Sequence, residues 1–144
     1  MGSRGLELFE SIAEETNLVV ISTADDRGRP SSRFMRFVTT ARPTVWYVTT
    51  APDAPKVQDF ERGLVAVLTA PTDQGSTISS SRVHIRRADV NLFEIADLYR
   101  TQAPRYLDGM TEDDQASELV YELRFESAKV SSWLDQELVV FDAS

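Results

Sequence analysis

The chain contains no cysteine, one histidine (His84) and only two lysines, Lys56 and Lys129. The missing thiols exclude disulfides, thiolate-bound metals and cysteine nucleophiles, and with them a disulfide-stapled secreted scaffold. No pair of histidines and acids shows metal-ligand spacing, and there is no nucleophile elbow or glycine-rich phosphate loop. No apolar run approaches the roughly 20 residues of a membrane helix. The first fifteen residues carry Glu7, Glu10, Glu14 and Glu15 without a long apolar core, which is unlike a signal peptide. The expected location is therefore the cytoplasm, away from membranes. Positive charge is also scarce: 15 basic against 23 acidic residues give a net charge of −8. That balance argues against general nucleic-acid binding, which needs several phosphates neutralised at once.

What remains is a globular composition, 42% apolar and 26% charged, with a length of 144 residues suited to a single domain over 1–144. The charge is unevenly spread. From residue 108 to the end, ten acids face only Arg124 and Lys129, and this end reads as a solvated acidic face. Arg27, Arg29, Arg33, Arg36 and Arg42 instead fall within sixteen residues that hold no acid. Downstream come Thr49, Thr50 and Lys56. Two strand-borne arginines, two hydroxyls and a lysine at a helix start are donors suited to a phosphate ester. Phe34, Met35 and Phe37 between the arginines offer a wall for a flat ring.

Helical spacing of Leu6, Phe9, Ile12 and Ala13 predicts an amphipathic helix over 4–15. Apolar, β-branched segments predict strands over 17–23, 30–40 and 44–50, joined by turns at 25–28 and 41–43 as an antiparallel meander. Asp53 reads as an N-cap with Pro55 in the first turn of a helix that runs to about Arg62 and stops at Gly63. Further strands are expected over 64–70, 77–87, 119–125, 129–134 and 138–141, with a second helix around Leu92–Tyr99 that ends before Pro104. Residues 108–115 read as a loop or a short helical turn. The fold class is thus α+β, mainly β: a six- to eight-stranded antiparallel barrel with flanking helices.

The ordered pieces VVISTADDRGRP, SSRFMRFV, VWYVTTAPDAPKVQDFERG, VAVLTA and ELRFESAKVSSW resemble the pyridoxamine 5'-phosphate oxidase-like split barrels, most of which bind FMN. The likeness covers 6–70 and 118–134 well and 77–117 poorly. It implies a homodimer with FMN at the interface. By that resemblance Arg33 and Lys56 hold the phosphate, Phe34, Met35 and Arg36 line the isoalloxazine ring, and Thr49 and Thr50 supply a hydroxyl pair. It further implies a flavin-dependent oxidoreductase fed by a reduced nicotinamide, in which the flavin carries the electrons and no residue needs a catalytic acid–base role. The C-terminal arginine–histidine substrate motif of true pyridoxamine phosphate oxidases is missing, so vitamin B6 oxidation is not expected. Two alternatives stay open: a deazaflavin-dependent reductase, with Arg27, Arg29 and Arg42 along a longer anionic tail, and a non-catalytic flavin-binding or stress-related dimer.

Strand parity puts Arg33, Met35 and Phe37 on one face and Phe34, Arg36 and Val38 on the other, so one arginine at most enters a given pocket. His84 shares a face with Arg82 and Arg86 and reads as a surface or interface residue, not a general base. Trp46 and Trp133 read as core or dimer-contact aromatics, with Trp133 alternatively flanking the ring.

Overall fold

Helix α1 (Gly2–Glu15) places Phe9, Ile12 and Ala13 on one buried stripe, as their spacing requires. The computed structural model describes residues 2–132 and 135–141, with side chains from residue 5 onward. Near its start α1 lies close to the end of the sheet. A Cβ built on Gly5 would come within 2.7 Å of Val139 Cγ2, so with any larger residue there either the Val139 side chain or the helix must shift.

Eight strands follow: β1 (Leu18–Ala24), β2 (Pro30–Thr39), β3 (Val45–Thr50), β4 (Leu64–Thr69), β5 (Thr77–Asn91), β6 (Leu119–Phe125), β7 (Ser127–Ser131) and β8 (Gln136–Val140). All pairings are antiparallel. The order β4-β1-β2-β3-β6-β5 closes on itself through β4–β5, giving a six-stranded barrel, and β7 and β8 extend the sheet from the first residues of β5. The tight β1–β2 turn is organised by Asp25, whose Oδ1 accepts from the amides of Arg27 and Arg29 at 2.8 and 2.9 Å. Gly28 completes it at φ 80°, a left-handed conformation that costs glycine little.

Alternate residues of the strands fill the barrel. Trp46 is fully buried and stacks on Phe37 at a 3.9 Å centroid distance, with Phe9 and Phe125 around it. Helix α2 (Lys56–Phe60) inserts Phe60 into this core, edge-on to Tyr121. A smaller cluster sits outside the barrel, where Leu92, Tyr99 and Ala103 cover Val38. It belongs to an excursion between β5 and β6 made of α3 (Ala96–Gln102), a 3-10 turn (Pro104–Leu107) and α4 (Glu112–Ser117). Gln102 ties that excursion to β2, accepting from the Thr39 amide at 2.8 Å and donating to the Thr39 carbonyl at 3.0 Å.

The expected barrel and helices are present, with differences at their edges. Helix α2 is only five residues long, and its N-cap is Pro55, without a side-chain cap. Asp53 lies in the preceding turn, closed by the Ala54 amide on Ala51. Strand β5 continues past residue 87 to Asn91 because β6 still pairs with it there, beyond a register shift. The strand expected over 129–134 is Ser127–Ser131, and Trp133, with its expected core or interface role, lies outside the described residues.

Of the two readings for 108–115, the short helical turn is present, as the six-residue helix α4 over 112–117. Thr111 Oγ1 accepts from the Asp114 amide at 3.0 Å, and Asp114 Oδ2 accepts from the Thr111 amide at 3.0 Å, a reciprocal capping box. Thr111→Ala removes one half of it and is expected to lower unfolding free energy by about 1 kcal/mol, read from urea denaturation, while Thr111→Ser keeps most of that.

Candidate functional site

The β2–β3 ladder is short. It pairs Phe37 with Val48, Val38 with Tyr47 and Thr39 with Trp46, then stops. Residues 30–36 of β2 remain paired to β1 but not to β3. The amide of Phe37 bonds to the carbonyl of Asn17, on the β1 side. By the two-residue alternation of a strand, Phe34 turns its N–H and C=O the other way, toward the missing partner. The barrel is therefore split between the first half of β2 and the end of β3. Phe34 stands at this split with 64% of its surface exposed.

The side chains alternate as parity requires. Met35 is buried in the barrel, Arg33 half-buried at its mouth, and Phe34 and Arg36 lie outside. Arg36 Nη1 donates to Asn17 Oδ1 at 2.7 Å. Arg33 is heavily engaged. Its Nη1 donates to Thr23 Oγ1 (3.0 Å) and Ile21 O (3.3 Å), and its Nη2 to Ser31 Oγ (2.7 Å) and Asp59 Oδ2 (3.4 Å). Of the five N–H donors of a guanidinium, only Nε–H is uncommitted. The guanidinium also lies 5.7 Å from the centre of the Phe60 ring. Asp59 was not singled out in the sequence, although it lies one turn beyond Lys56 on α2, where residues three apart are neighbours. It thereby brings Arg33 to the helix that carries Lys56.

The Thr49 and Thr50 side chains face opposite ways. Successive strand residues face opposite ways, so Thr50 is buried toward the barrel and bonds to the Ala51 carbonyl at 3.4 Å. Thr49 points outward beneath the excursion, where its hydroxyl and that of Tyr106 lie 2.7 Å apart. The same parity rule that separated Arg33 from Arg36 applies to these two threonines. Tyr106 carried no sequence signal, being 57 positions from its partner.

Lys56 is half-exposed and makes no hydrogen bond or ion pair among the described residues. Its charge instead acts on Glu118, at the junction of α4 and β6. Burial holds the Glu118 carboxyl above its ordinary range; Lys56 opposes that shift and Asp114 adds to it. Burial likewise raises the Tyr99 and Tyr106 hydroxyls, with Thr49 pulling back on both. Thr49 is bonded to Tyr106, however, and Tyr99 Oη itself has no partner in hydrogen-bonding geometry among the described residues. Tyr121, whose hydroxyl donates to Glu61 Oε1 at 3.0 Å, is pushed up to about 12 by burial and by that carboxylate.

A cleft of about 480 Å³ between α1 and the β7–β8 hairpin is rimmed by Glu15, Asp135 and Glu137, the wrong sign for a phosphate. His84 is exposed and bonded to Glu126, consistent with a surface role. Among the described residues, no group of three or more His, Asp or Glu is placed to hold a metal ion, and no helix is long and apolar enough to cross a membrane.

No family model and no curated protein matches the sequence. Solved structures do match the fold. General stress protein 26 from Bacillus anthracis superimposes with a TM-score of 0.70 at 18% identity, over 96% of this chain and 99% of that one. A Clostridium acetobutylicum protein related to general stress protein 26, of the pyridoxinephosphate oxidase family, gives 0.63 at 12% identity over 96% and 93%. A heme binding protein from Mycobacterium smegmatis gives 0.69 at 14% identity, over 94% of this chain and 57% of that one. The fold is that of the pyridoxamine 5'-phosphate oxidase-like split barrels.

Proposed function

We propose that this chain is a cytoplasmic, homodimeric FMN-binding protein that works as a flavin-dependent oxidoreductase with a reduced nicotinamide as electron donor. The observation that carries the reading is the open edge of β2 at Phe34. An unpaired backbone N–H and C=O beside an exposed aromatic suit the hydrogen-bonding edge and flat face of an isoalloxazine ring. The same strand bears Arg33, Met35 and Arg36, and the end of β3, with Thr49 and Thr50, lies across the split. Lys56, without a hydrogen bond or ion pair among the described residues, is the cation best placed to take the phosphate. Arg33, already neutralised by Asp59, supports the wall and offers its remaining Nε–H.

A second copy would roof the site. Phe34, Val20 and Leu68 are register neighbours across β2, β1 and β4, all on the outer face. Leu68 is 47% exposed, and Leu138, farther along the extended sheet, is 66% exposed. Covering such an apolar row is what a homodimer interface does. The chemistry asked of the protein is modest. Bound flavin would carry the electrons, and these residues would orient it and exclude water.

Protein purified without additives is expected to be yellow and to release FMN on boiling, identified by chromatography. It should then oxidise a reduced nicotinamide in the presence of an artificial acceptor. Colourless protein that takes up no added FMN would sink the reading. Release of a deazaflavin would keep the class and change the ligand, and FMN binding without turnover would leave a binding protein. Uptake of haemin in place of FMN, lost in His84→Ala, would point to a different cofactor altogether.

A further inference from the structure

We propose that Asp59 sets the anionic charge this site accepts. By neutralising Arg33 it leaves only the lysine of the pair Arg33 and Lys56 with an unmatched charge, and so favours a single phosphate over a more highly charged group. This specificity belongs to the flavin site described above and rests on that reading. Contacts between α2 and the barrel strands carry it. Asp59 Oδ2 lies 3.4 Å from Arg33 Nη2 and accepts from Thr23 Oγ1 at 3.4 Å. The two side chains of the ion pair are only 20% and 24% exposed, so salt screens it less than a surface pair. The other acceptors around the guanidinium, Thr23 Oγ1, Ser31 Oγ and Ile21 O, carry no charge. Among the described residues, Asp59 is therefore the group that cancels the arginine's charge.

The helix brings Lys56 into the same arrangement. Lys56, Asp59 and Phe60 are spaced i, i+3 and i+4 on α2 and so share one side of it. Phe60 enters the core there, and the Arg33 guanidinium lies 5.7 Å from its ring centre. Asp59 is thus in contact with one cation and a single helical turn from the other. Glu61, just past the helix, is engaged by the Tyr121 hydroxyl instead. A phosphate that takes Lys56 can draw on the remaining Nε–H of Arg33 but not on its charge. A second phosphate group finds no unmatched charge on this pair and is repelled by the Asp59 carboxylate. An uncharged ligand feels neither effect.

The test measures binding of riboflavin, FMN and inorganic pyrophosphate to the full chain by calorimetry, at one pH and low ionic strength. Asp59→Asn keeps the shape of the side chain and an oxygen for Thr23 and Arg33 while removing the charge. It should bind FMN about fivefold more tightly than the parent, the upper end for a partly exposed charge pair, and gain more for pyrophosphate. Affinity for riboflavin, which lacks the phosphate, should be unchanged. Asp59→Glu keeps the charge and should gain nothing for either anion. With Lys56→Met already in place, Asp59→Asn should restore part of the lost FMN affinity, because Arg33 is then free to act as the cation. A purely structural brace would instead lose affinity for all three ligands as its melting point fell. That outcome, an unchanged FMN affinity or an equal gain for riboflavin would overturn the proposal. Asp59→Ser, neutral and smaller, replaces the asparagine variant if the latter does not fold. Should neither flavin bind any form, the flavin reading falls, and pyrophosphate still decides the role of Asp59: no gain in the variant would sink it.

Discussion

Trp46→Ala is expected to cost about 3–5 kcal/mol of unfolding free energy, measured by denaturant titration, and to lower the melting temperature by roughly 10–15 °C for a chain of this size. The reason is the position of the indole. It is fully buried, 3.9 Å from the Phe37 ring and 4.5 Å from Phe125, with Phe9 at 5.6 Å. These contacts join β2, β3, β6 and α1 at one point, so no single element can collapse to fill the void. Trp46→Phe should cost less than half as much. The indole Nε1 has no hydrogen-bond partner among the described residues, so phenylalanine forfeits volume but no bond, and it removes a buried N–H that is costly to leave unpaired. Equal losses in the two variants would mean that Nε1 is satisfied in solution, for instance by a buried water.

Lys56→Ala is expected to act on the ligand and not on the fold. Loss of one charge-assisted hydrogen bond to a phosphate should weaken FMN binding by about 1.5–3 kcal/mol, roughly 10- to 150-fold, measured by fluorescence quenching of the free flavin. The melting point of the apo protein should hardly move, because Lys56 is half-exposed and bonds to nothing among the described residues. Arg33→Ala makes the contrast. That change removes four hydrogen bonds that join β1, β2 and α2, so the apo protein itself should be destabilised. If Lys56→Ala destabilised the apo protein as much as Arg33→Ala, the lysine would be a structural residue and the phosphate assignment would lose its anchor.

Much of the fold is legible along the chain because strand and helix periodicities are local properties. The 119–125 strand shows its alternation within seven residues, and α1 shows its stripe within fourteen. Boundaries were harder where a partner decided them. Strand β5 outruns its apolar pattern because β6 continues to offer it hydrogen bonds. Helix α2 is shorter than its caps suggested because the chain first closes a separate turn at 51–54. The 112–117 helix is nearly all polar and has no apolar stripe to announce it; its capping box holds its first turn.

For the candidate site, the residue types and their order were in the sequence, while their engagement was not. Thr49 and Thr50 belong to opposite faces by simple parity, and that much was available from spacing alone. Which of the cations has a counter-charge depends on contacts made across the fold. Arg33 meets Asp59 after 26 positions, and Thr49 meets Tyr106 after 57. No local pattern encodes such pairings, since they depend on how strands align and where the excursion between β5 and β6 comes to rest.

By itself, the order of apolar and turn residues determined an antiparallel barrel with helices around it, because each element buries a face set by its own period. Only the tertiary structure decided where that barrel is split and which charges near the split are already matched. Ladder length and ion pairing are long-range outcomes, fixed when distant segments compete for the same hydrogen-bonding groups.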